Sequence, residues 1–126
     1  MNSRELAQNA ARLGWQKKGD NIVILDLREL SDVADYFVIL TGESDIHVKS
    51  LADFIERELR DEKIKPVHKE GYRYLNWVLL DYVDVIVHIF KSDAREYYGL
   101  EQLWSDAKLT QWNEDAQDRI LSKKAN

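Results

Sequence analysis

The 126-residue sequence contains no cysteine, one proline and only five glycines. The absence of cysteine excludes a disulfide framework and a thiolate zinc site. Long hydrophobic runs are also missing: the longest is interrupted by Asp81 and Asp84, and none approaches the ~20 residues that a membrane-spanning helix requires. The first fifteen residues lack the apolar core of a signal peptide. These absences favour one cytoplasmic domain without membrane contact.

Positive charge is scarce as well, because 18 lysines and arginines face 23 acidic residues and leave a net charge of −5. A protein that binds mainly to nucleic-acid phosphates is normally basic, so bulk nucleic-acid binding is disfavoured. The acidic excess is concentrated between Lys91 and Asp118, where seven acids and three bases leave a net charge of −4. This segment has two interpretations: a solvated acidic face, or a surface for a basic partner.

The hydrophobic periodicity predicts an α/β domain with the element order α-β-β-α-β-β-β-α and a mixed five-stranded sheet packed with helices. The clearest helix follows Ser44 or Asp45, either of which can cap it. Its apolar side chains recur at helical spacing: Val48, Leu51, Ala52, Ile55 and Leu59. The strand–helix–strand unit around this helix predicts a right-handed parallel crossover. A short strand in the stretch PVHKEG is expected near a sheet edge.

The end of the chain is predicted from weaker patterns. Ser92 or Asp93 is expected to cap a last element in the stretch DAREYYGLEQLW. The domain is predicted to span residues 1–109, and residues 110–126 form a tail. In this tail a weak helical pattern connects three apolar residues: Trp112, Ala116 and Ile120.

The stretch NWVLLDYVDVIVHIF predicts two apolar strands joined by a tight turn. A turn at Tyr82 and Val83 predicts the cross-strand pairs Leu80–Val85, Leu79–Ile86, Val78–Val87 and Trp77–His88. One face of this hairpin is then aliphatic: Val78, Leu80, Val85, Val87 and Ile89. The other face mixes apolar and polar groups: Leu75, Trp77, Leu79, Asp81, Asp84, Ile86, His88 and Phe90. Either a helix covers the mixed face, or part of it is open and binds another protein.

Catalytic and metal-binding patterns are weak. The three histidines, His47, His68 and His88, have no metal-ligand spacing, and the D-x-D pattern of a two-carboxylate metal site is absent. The stretch TGESD between a strand and a helix can offer backbone N–H groups to a phosphate, but helix capping explains the same residues. Asp81 and Asp84 are explained as turn residues. We therefore expect no enzymatic activity, no cofactor and no bound metal.

Four stretches in fixed order resemble the ribosomal silencing factor family, also called the Iojap family: DYFVILTGES, HVKSLAD, PVHKEGYRYLNWVLLDYVDVIVHIF and REYYGLEQLW. The resemblance covers about Asn21 to Ala107, and the block from Trp77 to Trp104 is its most specific part. It implies a nucleotidyltransferase-like core without the catalytic carboxylates. It also implies a non-enzymatic factor that binds the large ribosomal subunit through ribosomal protein fourteen, blocks joining of the small subunit and lowers translation when nutrients are scarce. Little direct RNA contact is expected, and the free protein is compatible with a homodimer.

The resemblance assigns family motif positions to Glu70, Gly71, Leu100 and Trp104. Partner binding is expected of nine residues: His68, Trp77, Leu79, Asp81, Ile86, His88, Arg95, Tyr98 and Glu101. The sequence departs from the family at Val83 and Asn76, where glycine is usual or frequent. A type I′ turn at Tyr82–Val83 places two unsuitable residues at positive φ, which favours a four-residue loop from Asp81 to Asp84. The alternative function is a degenerate nucleotidyltransferase-like domain that binds a nucleotide through TGESD.

Overall fold

The computed structural model describes residues 1–113. Its helices are α1 (Ser3–Gln16), α2 (Asp45–Asp61), α3 (Ser92–Tyr98) and α4 (Leu100–Leu103). Its strands are β1 (Asp20–Asp26), β2 (Tyr36–Gly42), β3 (His68–Glu70), β4 (Trp77–Asp81), β5 (Val85–Lys91) and β6 (Lys108–Gln111). From α1 to α3 the element order agrees with the predicted order, and the single-domain α/β class is confirmed.

The sheet in residues 1–113 has six strands in the order β3-β4-β5-β2-β1-β6, so the prediction of five strands is wrong. β2 and β5 are parallel at its centre, and the other neighbouring pairs are antiparallel. These pairings give β3 the direction of β2, which confirms the parallel sense of the crossover through α2. The sequence does not reveal β6, because all four of its residues are exposed and lack an alternating pattern.

Helices α1 and α2 cover one side of the sheet, here called the closed face. Asn2 caps α1 by accepting a hydrogen bond from the Glu5 N–H at 2.8 Å, and Ser44 caps α2 by accepting from the His47 N–H at 3.1 Å. Both helices bury a continuous apolar stripe. The strand residues beneath them include Val38, Leu40, Val78, Leu80, Val85, Val87 and Ile89, all 0% exposed. The core on this face is closed to solvent and mostly aliphatic, with three buried aromatic side chains: Tyr36, Tyr82 and Trp112.

Helices α3 and α4 lie on the opposite side, here called the open face. Its buried cluster includes Leu25, Phe37, Ile39, Ile86 and Phe90 from the strands and Ala94 from α3. Lys91 is the N-cap of α3 and makes no side-chain capping bond, so the predicted capping by Ser92 or Asp93 is wrong. Gly99 has a φ of +55° and separates α3 from α4, a left-handed conformation that suits glycine. The two helices are therefore short and cover this face incompletely.

The β4–β5 hairpin keeps the predicted faces but not the predicted pairing. Trp77 lies opposite Phe90, and Leu79 lies opposite His88, so the register differs by two residues. A shift of two leaves every side chain on its own face, because side chains alternate with a period of two. The turn is centred on Val83, with a φ of +71°. Strand pairing continues through Asp81, which excludes the four-residue loop.

Hydrogen bonds from outside and from within the hairpin hold the turn in this position. The Asp84 carbonyl accepts hydrogen bonds from the N–H groups of Asp35 at 2.8 Å and Tyr36 at 3.1 Å. The Asp81 carboxylate accepts from the Val83 N–H at 2.8 Å. Positive φ at Val83 gives a conformational reason for the glycine that is usual here in the resembling family.

The C-terminal part of the described chain continues the sheet. β6 pairs with β1 and runs across the predicted domain limit at residue 109. Trp112 follows it, is 5% exposed and belongs to the core of the closed face. Residues 110 and 111 are therefore strand, and the rest of the predicted tail helix, through Ala116 and Ile120, lies outside the described residues. The nucleotidyltransferase-like relationship remains a prediction.

Candidate functional site

The open face exposes four neighbouring residues, here called the aromatic patch: Trp77, Leu79, Tyr97 and Tyr98. Trp77 and Leu79 are half-buried at alternate positions of β4, whereas Tyr97 and Tyr98 of α3 are 83% and 49% exposed. The Trp77 ring stacks on Phe90, with centroids 4.8 Å apart, and lies against Tyr98 at 4.9 Å. Tyr97 meets Tyr98 edge-on at 5.1 Å. The three rings of the patch are thus packed against one another rather than isolated.

His88 lies beneath this patch. The Trp77 indole N–H donates a hydrogen bond to His88 Nδ1 at 3.1 Å. The imidazole is 3% exposed and meets the Phe37 ring edge-on at 4.5 Å. Desolvation by these apolar neighbours lowers the pKa of His88 to about 3. His88 is therefore neutral at physiological pH.

Arg95 anchors α3 to the sheet from inside. It is 8% exposed, and its Nη1 donates to the carbonyl of Asn21 at 2.6 Å and to Thr41 Oγ1 at 2.9 Å. Its Nε donates to the Glu101 carboxylate at 2.8 Å. Two residues of the predicted site, Arg95 and Glu101, thus form an ion pair that joins α3, α4 and the sheet.

The remaining predicted site residues lie toward the other end of β4. His68, on the edge strand β3, pairs opposite Asp81, and its Nε2 lies 2.7 Å from the carboxylate of Glu70. Asp81 is half-exposed, whereas Ile86 across the strand is 8% exposed. The structure therefore brings Trp77 and Tyr98 together at the start of β4 and His68 and Asp81 together at its end, with Leu79 on the same face between them. Ile86 joins His88 and Arg95 among the buried residues.

Gly71 occupies a position that excludes any side chain. Its φ is +92°, and a Cβ atom there would lie 1.9 Å from the carbonyl oxygen of Trp77. No rearrangement of a side chain relieves such a contact with backbone, so the glycine of the Glu70–Gly71 motif is required by its packing against the start of β4. This motif positions the strand that carries Trp77.

The TGESD segment uses its polar groups internally. The Glu43 N–H donates to His47 Nδ1 at 2.9 Å, and the His47 N–H donates to Ser44 Oγ. Because Nδ1 accepts, the Nε2 proton of His47 can donate to the carbonyl of Lys17, 2.9 Å away. Asp45 in turn pairs with Lys91 at 2.9 Å. These contacts favour the capping interpretation, since the N–H groups of Glu43 and His47 are already engaged.

Two other features bear on ligand binding. Within residues 1–113, no cluster of three or more histidine or acidic side chains could hold a metal ion. A groove of about 400 Å³ lies on the side of α1 and α2, and Lys17, Lys49, Asp53, Phe54 and Arg57 contribute to its lining. Lys49 pairs with Asp53 at 2.6 Å, while Lys17 and Arg57 lie over the Phe54 ring at 4.9 and 5.7 Å. Lys49 is thus paired with an acid, and the other two cations, Lys17 and Arg57, cover the Phe54 ring.

Sequence reasoning missed Tyr97, the most exposed member of the aromatic patch. The tyrosine pair precedes Gly99, which ends α3. A glycine after two tyrosines indicates where the helix ends but not which of the two side chains is exposed, so the sequence carries no specific signal for Tyr97. Tyr98 was predicted from the family motif alone.

The fold and the site together define a small α/β domain with an aromatic patch on an incompletely covered sheet face. The chain belongs to the ribosomal silencing factor family: the family described as "Ribosomal silencing factor during starvation" matches residues 1–126. The ribosomal silencing factor of Bacillus subtilis is 40% identical over 109 residues, which cover 86% of this chain and 92% of that protein. The factor of Halalkalibacterium halodurans is 38% identical over 107 residues, with 85% and 92% coverage.

Solved structures agree with this assignment. A crystal structure of a Chromobacterium violaceum protein superimposes with a TM-score of 0.81 at 32% identity, covering 83% of this chain and 88% of the other. A Bacillus halodurans structure gives a TM-score of 0.73 at 37% identity, with 80% and 94% coverage. The resemblance identified in the sequence is confirmed.

In the part of the chain that the structure describes, no helix is long and apolar enough to cross a membrane.

Proposed function

We propose that this protein silences translation in the cytoplasm by docking on the large ribosomal subunit through ribosomal protein fourteen and excluding the small subunit. Membership of the ribosomal silencing factor family supports a regulatory role in translation. The proposal extends this role to a specific partner, a steric mechanism and a response to nutrient limitation. It requires no catalysis, and a purified sample should show no nucleotidyl transfer.

The aromatic patch is the observation that carries the proposal. Large rings that are partly exposed and packed against one another are typical of binding hot spots, where tryptophan and tyrosine are enriched. Trp77 is supported by Phe90 from below and by Tyr98 from the side. Such support limits the side-chain freedom that binding would otherwise have to remove. A patch of this kind suits a protein partner.

The proposal divides the predicted site residues into two groups. The first group meets the partner, with Trp77, Leu79 and Tyr98 at the centre and His68 and Asp81 at the rim. The second group supports the surface from within: Ile86, His88, Arg95 and Glu101. For Ile86, His88 and Arg95 the division follows burial, because a docked protein reaches exposed atoms first and a residue that is 3% or 8% exposed offers little surface. The Glu101 side chain is 31% exposed, and it joins this group because its carboxylate is paired with Arg95 at 2.8 Å.

The charge of the chain segment that carries α3 and α4 favours a basic partner. This segment belongs to the acidic region between Lys91 and Asp118, with its net charge of −4; three of its seven acids, Glu114, Asp115 and Asp118, lie outside the described residues. Rim charges of this sign mainly raise the association rate, whereas the apolar centre sets the lifetime of the complex. The expected salt dependence is therefore moderate. Extensive RNA contact would instead give a steep power-law loss of binding with salt.

The test combines binding and subunit joining. Purified protein is sedimented with isolated large subunits, and joining of small subunits is followed by light scattering at several factor and salt concentrations. We expect Trp77→Ala to weaken binding about thirtyfold, because truncating a hot-spot residue costs roughly 2 kcal/mol. Tyr74→Ala is the matched control, since Tyr74 is 70% exposed but lies outside the aromatic patch.

Several outcomes contradict the proposal. Inhibition at well below one factor per large subunit indicates turnover rather than occupancy. A steep loss of binding with salt indicates a contact dominated by RNA phosphates. Equal weakening by Trp77→Ala and Tyr74→Ala removes the aromatic patch from the interface. Unchanged binding to large subunits that lack ribosomal protein fourteen shows that this protein is not the partner. A rise in melting temperature with nucleotides favours the alternative of nucleotide binding.

A further inference from the structure

His88 has a buried hydrogen-bond donor without an acceptor among residues 1–113. Its Nδ1 accepts from the Trp77 indole N–H at 3.1 Å, and an indole nitrogen can only donate. The neutral imidazole must therefore carry its proton on Nε2. That atom is buried, and no described residue accepts from it. The tautomer follows from the hydrogen bond and leaves one polar group unsatisfied.

An unsatisfied buried donor lowers stability, and native proteins contain few of them. The surroundings of His88 are apolar: Phe37 lies 4.5 Å away and Phe90 6.3 Å away, measured between ring centroids. An aliphatic residue of similar size would fill this space without burying a polar atom. The core of the open face therefore does not need a histidine for its packing.

The acceptor on His88 does something for Trp77 that the ring contacts cannot do. Phe90 and Tyr98 contact the indole through its faces and edges, which restricts the position of the ring but does not distinguish its two flipped orientations. The hydrogen bond to Nδ1 selects the orientation with the N–H edge turned inward. The apolar remainder of the indole is then the part available at the surface.

We propose that His88 is a positioning residue, which holds the Trp77 indole in one orientation for docking through the bond from Trp77 Nε1 to its own Nδ1. The inference rests on the docking role of Trp77 proposed above. It assigns His88 no direct contact with the partner, in keeping with its 3% exposure. A partner then meets a preorganised apolar edge and does not have to satisfy the indole N–H itself.

The acceptor is available over the physiological pH range. Burial lowers the pKa of His88 to about 3, so Nδ1 is not protonated near neutrality. Its neighbours Phe37, Ile39 and Leu79 on the adjoining strands and Phe90 on its own strand carry no charge that could change this. The bond from the indole therefore persists while the protein is folded.

The test compares two replacements of His88. In His88→Asn the side-chain oxygen stands at the same distance along the side chain as Nδ1, so it can accept from the indole, but the smaller residue leaves a cavity. In His88→Leu the volume is kept and the acceptor is lost. Ile39→Val, a change in a buried residue beside His88 on β2, is the control for altered packing alone.

Two readouts separate positioning from packing. The indole N–H resonance of Trp77, assigned with Trp77→Phe, reports the hydrogen bond, and co-sedimentation reports affinity for large subunits. We expect His88→Leu to shift the resonance upfield, speed its exchange with solvent and weaken binding about fivefold, a part of the loss on removing a hot-spot ring. His88→Asn should keep the resonance and bind within about twofold of wild type. Ile39→Val should match wild type in both.

The order of stability is expected to be the reverse of the order of affinity. His88→Leu should melt at a higher temperature than His88→Asn and yet bind more weakly. The proposal is overturned if affinity follows melting temperature across the variants, or if the Trp77 indole signal in His88→Leu equals that of wild type. Failure of the wild-type protein to bind large subunits would refute the proposed function instead, and the indole signal would still decide whether His88 orients Trp77.

Discussion

The two faces of the sheet are built from alternate residues of the same strands, yet they differ in chemistry and in cover. On the closed face, Leu80 lies under the long helices α1 and α2 and is 0% exposed. On the open face its neighbour Leu79 is half-buried, because α3 and α4 are short and separated at Gly99. The closed face is mostly aliphatic, although its core includes the buried Tyr36, Tyr82 and Trp112, whereas the open face gathers aromatic rings around the buried His88.

Under the proposed function, this difference lets one sheet serve stability and binding separately. Aliphatic side chains under long helices lose all contact with water, which yields the largest hydrophobic stabilisation per residue. Aromatic side chains at an incompletely covered edge keep part of their surface for a partner. Because the two sets alternate along β4, substitutions at adjacent positions should separate the two properties.

The largest effect is expected from Leu80→Ala. Replacing a fully buried leucine with alanine removes apolar contacts and leaves a cavity, which costs about 2–5 kcal/mol of unfolding free energy. Urea denaturation measures this loss, and binding to large subunits should be retained by the protein that remains folded.

Leu79→Ala is the matched partner of that substitution, one residue along the same strand. Because Leu79 is half-buried, its truncation should cost less stability, on the order of 1 kcal/mol, while it weakens binding to large subunits. If the two variants lose stability and affinity in the same proportion, the separation of the two faces is refuted.

An effect on binding alone, without the loss of stability expected for Leu79→Ala, is expected from Tyr98→Ala. Tyr98 is 49% exposed and flanks the Trp77 ring at 4.9 Å, so its loss should weaken binding about tenfold, or roughly 1.4 kcal/mol. Tyr97→Ala tests how far the aromatic patch extends along α3. Unchanged affinity in Tyr98→Ala would confine the binding surface to β4.

Acid should destabilise the open face through His88. In the unfolded chain His88 titrates near its ordinary pKa of about 6.5, but burial lowers its folded pKa to about 3. Between these values the unfolded state binds more protons, so stability is lost as the pH falls from 6.5 toward 3. Between pH 6 and pH 5 the unfolding free energy of the wild type should fall by about 1 kcal/mol more than that of His88→Leu. The unfolding free energies of both proteins are measured by urea denaturation at pH 6 and pH 5. If wild type and His88→Leu lose the same unfolding free energy between these pH values, His88 is protonated in the folded protein as well.

The smallest effect is expected at the turn that joins β4 to β5. Val83 has a φ of +71° and is 56% exposed, and this conformation is unfavourable for a β-branched residue. Val83→Gly should relieve the strain and raise the unfolding free energy by about 0.5 kcal/mol after the entropic cost of glycine. Affinity for large subunits should not change, and a loss of stability would show that Val83 makes a packing contact that outweighs its strain.

Much of the fold could be predicted because the relevant signals are local. The apolar spacing of α2 and the cap at Ser44 follow from neighbouring residues, and both are confirmed. The alternation along β4 and β5 identified both faces correctly even though the pairing was wrong by two residues. Alternation depends only on whether positions are odd or even, whereas pairing depends on the turn at Val83. Hydrogen bonds from Asp35 and Tyr36 to the carbonyl of Asp84 hold that turn in place.

The sequence alone therefore determined the element order from α1 to α3, the two chemically distinct faces and the family, because local periodicity or contiguous motifs specify each of them. Only the tertiary structure decided which residues of the mixed face reach the surface. Trp77 and His88 lie on the same face of neighbouring strands, but the rings of Phe37, Trp77 and Phe90 enclose His88, whereas Trp77 stays half-exposed. The sixth strand was decided in the same way, since its exposed residues find order only by pairing with the free edge of β1. Burial and strand pairing depend on residues distant in sequence, and no local pattern encodes them.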